Sequence, residues 1–392
     1  MAFLSKDVFD YRHAALRGMM DRKSLDAVIL FDVDSEFYTN WIVDVRPWER
    51  PIAVVIPRDG EMFAVLHSLS THHLRFALER GSSWLSDVVF YYEHQRAGVP
   101  LYPEFDAVVA DRLRDKGLHG ARLGYDSAGE RMGRIIRHLG GGQAVPVAGD
   151  LQPLRFVKHD EEIALMREAA AISDWVQDRY RENIRAGRLI QELDVEMHRQ
   201  AVVESARRFP GQNCEWRIYT LRGGHSASPH GNGAQTGAMI ETGDGLVNIV
   251  IPRLNGVTVE NERIFFCGRP SDVQERAFDT ALRANLAAID AMRPGNPVCQ
   301  IDNAARMVIE ADGYGDHIFH RTGHGVGMRG HEYPADTAFN TRPLRRNEVY
   351  SAEPGIYIWD VGGFRVDDTV VVADPPEVLT QAPKDIVSQT IL

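Results

Sequence analysis

Apolar positions recur at helical spacing from about residue 8 to residue 23, with Phe9, Leu16 and Met19/Met20 roughly on one side. Strand-length apolar runs follow at 27–31, 52–56 and 62–66, the last two parted by the turn Arg58-Asp59-Gly60. Helical patterns at 72–80 and 104–116 alternate with strand patterns at 88–92 and 121–125. This alternation predicts a small α/β domain. Pro146, Gly149 and Pro153 mark its end near residue 153.

A different rhythm begins at Asp160-Glu161-Glu162, an acidic start for a helix reaching about Gly187. A second helix to about Arg208 leads into strands near 216–220, 246–251 and 257–266. Ser271-Asp-Val-Gln274 reads as a capping box opening another helix, stopped at Pro294-Gly295. One more helix, about 298–312, precedes strands around the later histidine and glutamate motifs and at 363–372. Helix, helix, strands thus occurs twice, although no residue-level repeat accompanies it.

Composition agrees with a folded chain of two domains, since 392 residues exceed one ordinary core. A net charge of -11 argues against nucleic acid or an anionic membrane as the main partner. Cys214, Cys267 and Cys299 are unclustered, so neither a disulfide framework nor a thiolate metal site is expected. The N-terminal residues hold no apolar run of signal-peptide length, and the apolar runs are far short of a spanning helix. The expectation is a cytoplasmic protein with no membrane partner.

The chemistry concentrates late in the chain. In His320-Arg-Thr-Gly-His324-Gly-Val-Gly-Met-Arg-Gly-His331-Glu332, imidazoles lie within a glycine-rich run. Glu353, in Ser-Ala-Glu-Pro-Gly, and Asp367, in Arg-Val-Asp-Asp-Thr, follow. Imidazole and carboxylate bind divalent metals and move protons near neutral pH. Upstream, Glu260 and Glu262 alternate along a strand and face the same way, either as a solvated pair or as part of a site. If Glu260, Glu262, Glu353 and Asp367 converge, their charge must be answered by a metal, a cationic substrate or a proton.

These motifs occur in one order with Ser226-Ala-Ser-Pro-His230-Gly and Leu254-Asn-Gly256. In that order they resemble the pita-bread (M24) family of Xaa-Pro peptidases, prolidases, methionine aminopeptidases and creatinase. The resemblance covers about residues 155–375, and the first domain is similar to that of creatinase and the prolidases. It implies an α+β fold: a pita-bread catalytic domain of two pseudo-symmetric α-α-β halves, residues 154–392, after a smaller α/β domain, residues 1–153.

The family's metallopeptidases hold two divalent ions with two Asp, one His and two Glu. By motif, Glu260, His324, Glu353 and Asp367 fall on four of those positions, and Ile249 falls on the remaining Asp. Neighbouring Asn248 faces the other side of the strand. The resemblance therefore implies a mononuclear site at most (Mn, Zn or Fe), with no organic cofactor. A metal-free reading stands beside it. Creatinase works without metal, and its two substrate-gripping glutamates match Glu262 and Glu353, while its catalytic histidine matches His230.

Either way His230 is the expected general base or proton shuttle. His331 is expected to orient substrate or steady an oxyanion, unless it only bonds within its loop. Arg46 and Trp48, in an aromatic and basic cluster with Trp41 and Arg50, are candidates for substrate contact. In the resembling enzymes that region can reach a partner subunit's site.

The expected activity is hydrolysis of a C–N bond in a small amide, dipeptide or guanidino compound by a homodimer. The rivals are a metal-free amidinohydrolase, a lyase on the same scaffold, and a non-catalytic peptide-binding module.

Overall fold

The computed structural model describes residues 3–32, 34–40, 50–231 and 237–392, so the candidates Arg46 and Trp48 lie outside the described residues. The chain divides into two compact units, Phe3–Arg155 and Phe156–Leu392. No helix among the described residues is long and apolar enough to cross a membrane.

In the first unit the elements run α1 (Lys6–Lys23), β1 (Ala27–Leu30), α2 (Asp34–Thr39), β2 (Ala53–Pro57), β3 (Phe63–His67) and α3 (Ser70–Glu79). They continue through β4 (Asp87–Tyr91), α4 (Phe105–Asp115), β5 (Arg122–Tyr125), α5 (Gly129–Leu139), β6 (Gln143–Pro146) and α6 (Ala148–Leu151). Six strands form one sheet in the order β4-β3-β2-β1-β5-β6. Helix α5 was not expected. It starts after Ala128 in a left-handed conformation with no side-chain cap, so no start signal marks it.

Helix α1 carries a titratable group in its packed face. His13 is buried, stacks on Phe9 at 4.0 Å and donates from Nε2 to the Tyr38 carbonyl at 2.8 Å. Burial pushes its imidazole down from 6.5 to about 4, so the folded form resists the proton that the unfolded chain accepts. Its contribution is whole above pH 6.5 and is lost as pH falls through about 4. Wild type is expected to lose roughly 3 kcal/mol more stability than His13→Gln between pH 7 and pH 4 in urea unfolding. Parallel pH profiles for the two proteins would contradict this.

The second unit opens with α7 (Asp160–Asn183) and α8 (Ile190–Arg208), then β7 (Cys214–Arg222), β8 (Gly245–Leu254), β9 (Val257–Thr258) and β10 (Asn261–Cys267). The second half repeats the order with α9 (Asp272–Ala291), α10 (Cys299–Ala311), β11 (Val349–Ala352), β12 (Gly355–Ile358), β13 (Gly362–Arg365) and β14 (Asp367–Val371). The cap of α7 is His159, whose Nδ1 accepts the Glu161 N–H at 3.2 Å while Glu162 accepts the His159 N–H at 2.8 Å. Ser271 and Gln274 form the expected capping box at α9.

The main sheet runs β11-β14-β10-β8-β7, with β12 and β13 paired as a separate hairpin. The two halves meet where β10 pairs with β14, through Asn261 opposite Asp368 and Glu262 opposite Asp367. Helices α9 and α10 cover one apolar cluster with Val247, Ile249, Ile264, Phe266 and Val370 from the strands.

Candidate active site

Sheet register builds the site. Tyr219 on β7 faces Ile249 on β8, Ile249 faces Glu262 on β10, and Glu262 faces Asp367 on β14. Directly opposed residues share a face, so these four form one row across the sheet. Glu260 precedes Glu262 by two residues and is fixed at its backbone, where its N–H donates to Thr369 Oγ1 at 2.9 Å.

His324 enters from the loop before β11. Gly323 and Gly325 permit this, because a Cβ on either would strike the backbone of Ser351 or Tyr333. The His324 ring is fully buried, and its Nδ1 lies 3.0 Å from the Gly325 carbonyl, which fixes a proton there. Its Nε2 is left pointing between Glu260 (3.3 Å) and Glu353 (3.2 Å). Burial alone would lower this imidazole. The two carboxylates override burial and raise it well above its usual range.

Asp367 is the most telling group. It is fully buried, and neither carboxylate oxygen accepts a hydrogen bond from any described residue. Burial, then Glu353, Glu262 and Glu260, raise its carboxyl well above the usual carboxylate range. Glu353, although largely desolvated, is held down at about 2 by His324 and Arg365. His331 stacks on His324 with ring centres 3.8 Å apart, and its ligand nitrogen lies within 4.8 Å of donor atoms of Glu260 and His324. Lys158 and Glu332, both buried, pair at 3.3 Å, and Glu332 accepts the Met328 N–H at 3.0 Å, which anchors the His331 loop.

Glu262 meets a cation from its own chain. Arg365 on β13 takes both of its oxygens, Nη2 to Oε1 at 3.0 Å and Nε to Oε2. Arg365 also donates to the Pro229 carbonyl (2.8 Å) and the Tyr357 hydroxyl (3.1 Å). Tyr357 in turn lies 2.7 Å from His320 Nε2, and His320 Nδ1 lies 2.7 Å from the Arg321 carbonyl. The sequence assigned no role to Arg365, Tyr357 or His320, although His320 opens the histidine motif. One signal was available: Arg365 stands two residues before Asp367 in a strand pattern. The Pro229 contact brings the 223–231 loop to the same place. There His230 remains exposed, and partial desolvation, then Arg365 and Arg217, lower its imidazole.

Glu260, His324, Glu353 and Asp367 are thus gathered with His331, and they offer the imidazole and carboxylate donors a divalent cation prefers. The orphaned Asp367 oxygens are what such an ion would satisfy. Ile249, in the same row, packs into the apolar cluster. Asn248 lies on the opposite face and donates to Thr220 Oγ1 at 3.0 Å, so it adds no donor.

Residues 164–374 match the model of metallopeptidase family M24. The YkvY protein of Bacillus subtilis (strain 168) is 30% identical over 357 residues, covering 90% of this chain and 91% of the relative. The Xaa-Pro dipeptidase of Pyrococcus furiosus is 32% identical over 225 residues, covering 57% of this chain and 62% of the relative. Among solved structures, dipeptidase PepE from Mycobacterium ulcerans aligns with a TM-score of 0.80 and 25% identity, over 99% of each chain.

Proposed function

From the premise that this chain belongs to metallopeptidase family M24 and is a hydrolase with the pita-bread fold, we propose that it is a dipeptidase cleaving the Xaa-Pro bond. It would use a single divalent ion held by Glu260, His324, Glu353 and Asp367. One observation carries this reading: Asp367 is a fully buried carboxylate with no hydrogen-bond donor among the described residues, within electrostatic reach of Glu353, Glu262, Glu260 and His324. An ionised carboxyl in that position weakens the fold unless a cation answers it.

Bound there, a divalent ion supplies Lewis acidity at the scissile carbonyl. The protein's groups supply the rest. The Arg321 guanidinium lies 3.4 Å from His331 Nδ1, so that nitrogen accepts and Nε2 keeps the proton for the developing oxyanion. His230, lowered by partial desolvation, is neutral near pH 7 and accepts the proton released from water before passing it to the leaving nitrogen. The negative Glu260 and Glu353 favour a substrate that ends in an ammonium group.

Creatinase-like guanidinium binding by Glu262 and Glu353 fits less well, because Arg365 already engages both oxygens of Glu262. A pure peptide-binding module has no use for the imidazoles gathered at one point.

The test is metal content with activity. Purified protein is expected to hold about one divalent ion per chain and to cleave Ala-Pro until chelated. Two tightly held ions, or cleavage insensitive to chelation, would refute the mononuclear reading.

A further inference from the structure

Strand β7 forms the edge of the catalytic sheet. Arg217 precedes Tyr219 by two residues, so it shares the face that carries Tyr219, Ile249, Glu262 and Asp367. Its guanidinium sits over the Tyr219 ring, 5.1 Å from the centroid, and Nη2 donates to the Tyr219 hydroxyl at 3.2 Å. No described carboxylate lies within ion-pair distance of Arg217. Glu215, two residues earlier on the same face, is turned instead to Arg253 at 3.5 Å. Exposed Arg199, Arg207 and Arg293 each carry an acidic partner, whereas exposed Arg185, Arg269, Arg276 and Arg346 have none among the described residues. Arg217, unpaired like these last four, differs from them in standing on a strand beside the site. An arginine steadied by an aromatic ring keeps its paired donors for a planar anion.

What lies beside it identifies that anion. The loop after β7 returns to the sheet, where the Pro229 carbonyl meets Arg365 and His230 follows. Arg217 is near enough to His230 to depress its imidazole. Two strand spacings and two residue rises separate the Cα atoms of Arg217 and Glu262 by about 12 Å. An extended dipeptide spans about 7 Å, and an arginine side chain covers the remainder. The two ends of the site are also opposite in sign, acidic around Glu260 and Glu353 and cationic at Arg217.

Resting on the dipeptidase reading above, we propose that Arg217 anchors the α-carboxylate of the substrate's C-terminal residue and so restricts cleavage to dipeptides. The anchor lies on the leaving-group side, beside His230. A longer peptide puts an amide where the guanidinium expects a carboxylate and loses that contact.

Arg217→Met removes the charge and keeps most of the stem; Arg217→Lys keeps the charge without the fork. On Ala-Pro, Arg217→Met is expected to lose about tenfold to a hundredfold in kcat/KM, carried by KM. On Ala-Pro amide it should stay within about twofold of wild type, and Arg217→Lys should recover part of the Ala-Pro loss. Calorimetric titration supplies a readout without turnover: wild type should bind L-proline about tenfold or more tighter than L-prolinamide, and Arg217→Met should bind both alike. Equal discrimination by the two proteins, or equal losses on both substrates, overturns the anchor. Should wild type cleave neither substrate, the dipeptidase reading falls, while the proline and prolinamide titrations still decide whether Arg217 binds a carboxylate.

Discussion

Asp367→Asn is expected to lower Xaa-Pro turnover about a thousandfold, equivalent to ~4 kcal/mol of transition-state stabilisation, while making the chelated protein harder to unfold. The two effects have one origin. Asp367 is fully buried without a donor among the described residues, across the strand pair from Glu262 and close to Glu260 and Glu353. Its raised carboxyl means that ionising it in the folded chain costs stability, a cost present once pH exceeds the unfolded value of 3.8. Asparagine removes the charge and keeps the shape, so the chelated variant should gain about 1–3 kcal/mol in urea unfolding at pH 7. With metal restored, wild type should overtake the variant, because only the carboxylate completes the ligand set. A variant that retains a tenth of wild-type activity, or a chelated variant weaker than chelated wild type, would remove Asp367 from the proposed metal site.

Arg263→Met is expected to cost about 3–5 kcal/mol of stability. Arg263 is buried on the face opposite the site and donates from Nη2 to Asp368 at 2.8 Å. Its other donors hold the carbonyls of Ala382 (3.0 Å), Glu262 (2.9 Å) and Asp367 (2.8 Å). Asp368, also buried, takes Lys384 at 2.6 Å on its other oxygen. Burial opposes this carboxylate, yet Arg263 and Lys384 hold it near 2. Removing the guanidinium leaves the buried Asp368 to Lys384 and Thr380 alone and takes a donor from three carbonyls at the seam between β10 and β14. Because two of those carbonyls belong to Glu262 and Asp367, activity should fall together with stability. The exposed pair Arg167–Glu377 provides the contrast, and Arg167→Met should cost less than about 1 kcal/mol. Urea unfolding of both variants at neutral pH checks the pair of values.

Local sequence was a good guide wherever the deciding physics was local. Ser271 and Gln274 announced α9 because a capping box needs only four residues. Alternation put Glu260 and Glu262 on one face, and the glycines around His324 announced a close backbone approach. Helix α5 escaped because its start has no capping side chain, and His159 escaped because an imidazole is an uncommon cap. The fate of Glu262 could not be read from its neighbours either, since its partner Arg365 stands 103 residues away on another strand.

The sequence alone determined the order helix, helix, strands in each half of the second unit, and the family through motifs kept in one order. By resemblance it also set the expectation that Ile249 stands where the family's dinuclear set has an acid. Tertiary structure decided the rest: that Asp367 lies opposite Glu262, that Arg365 engages both oxygens of Glu262, and that Arg217 shares the site's face of the sheet without an acidic partner among the described residues. The physical reason is that a strand's own residues set which way a side chain points, whereas pairing between distant strands sets what it points at.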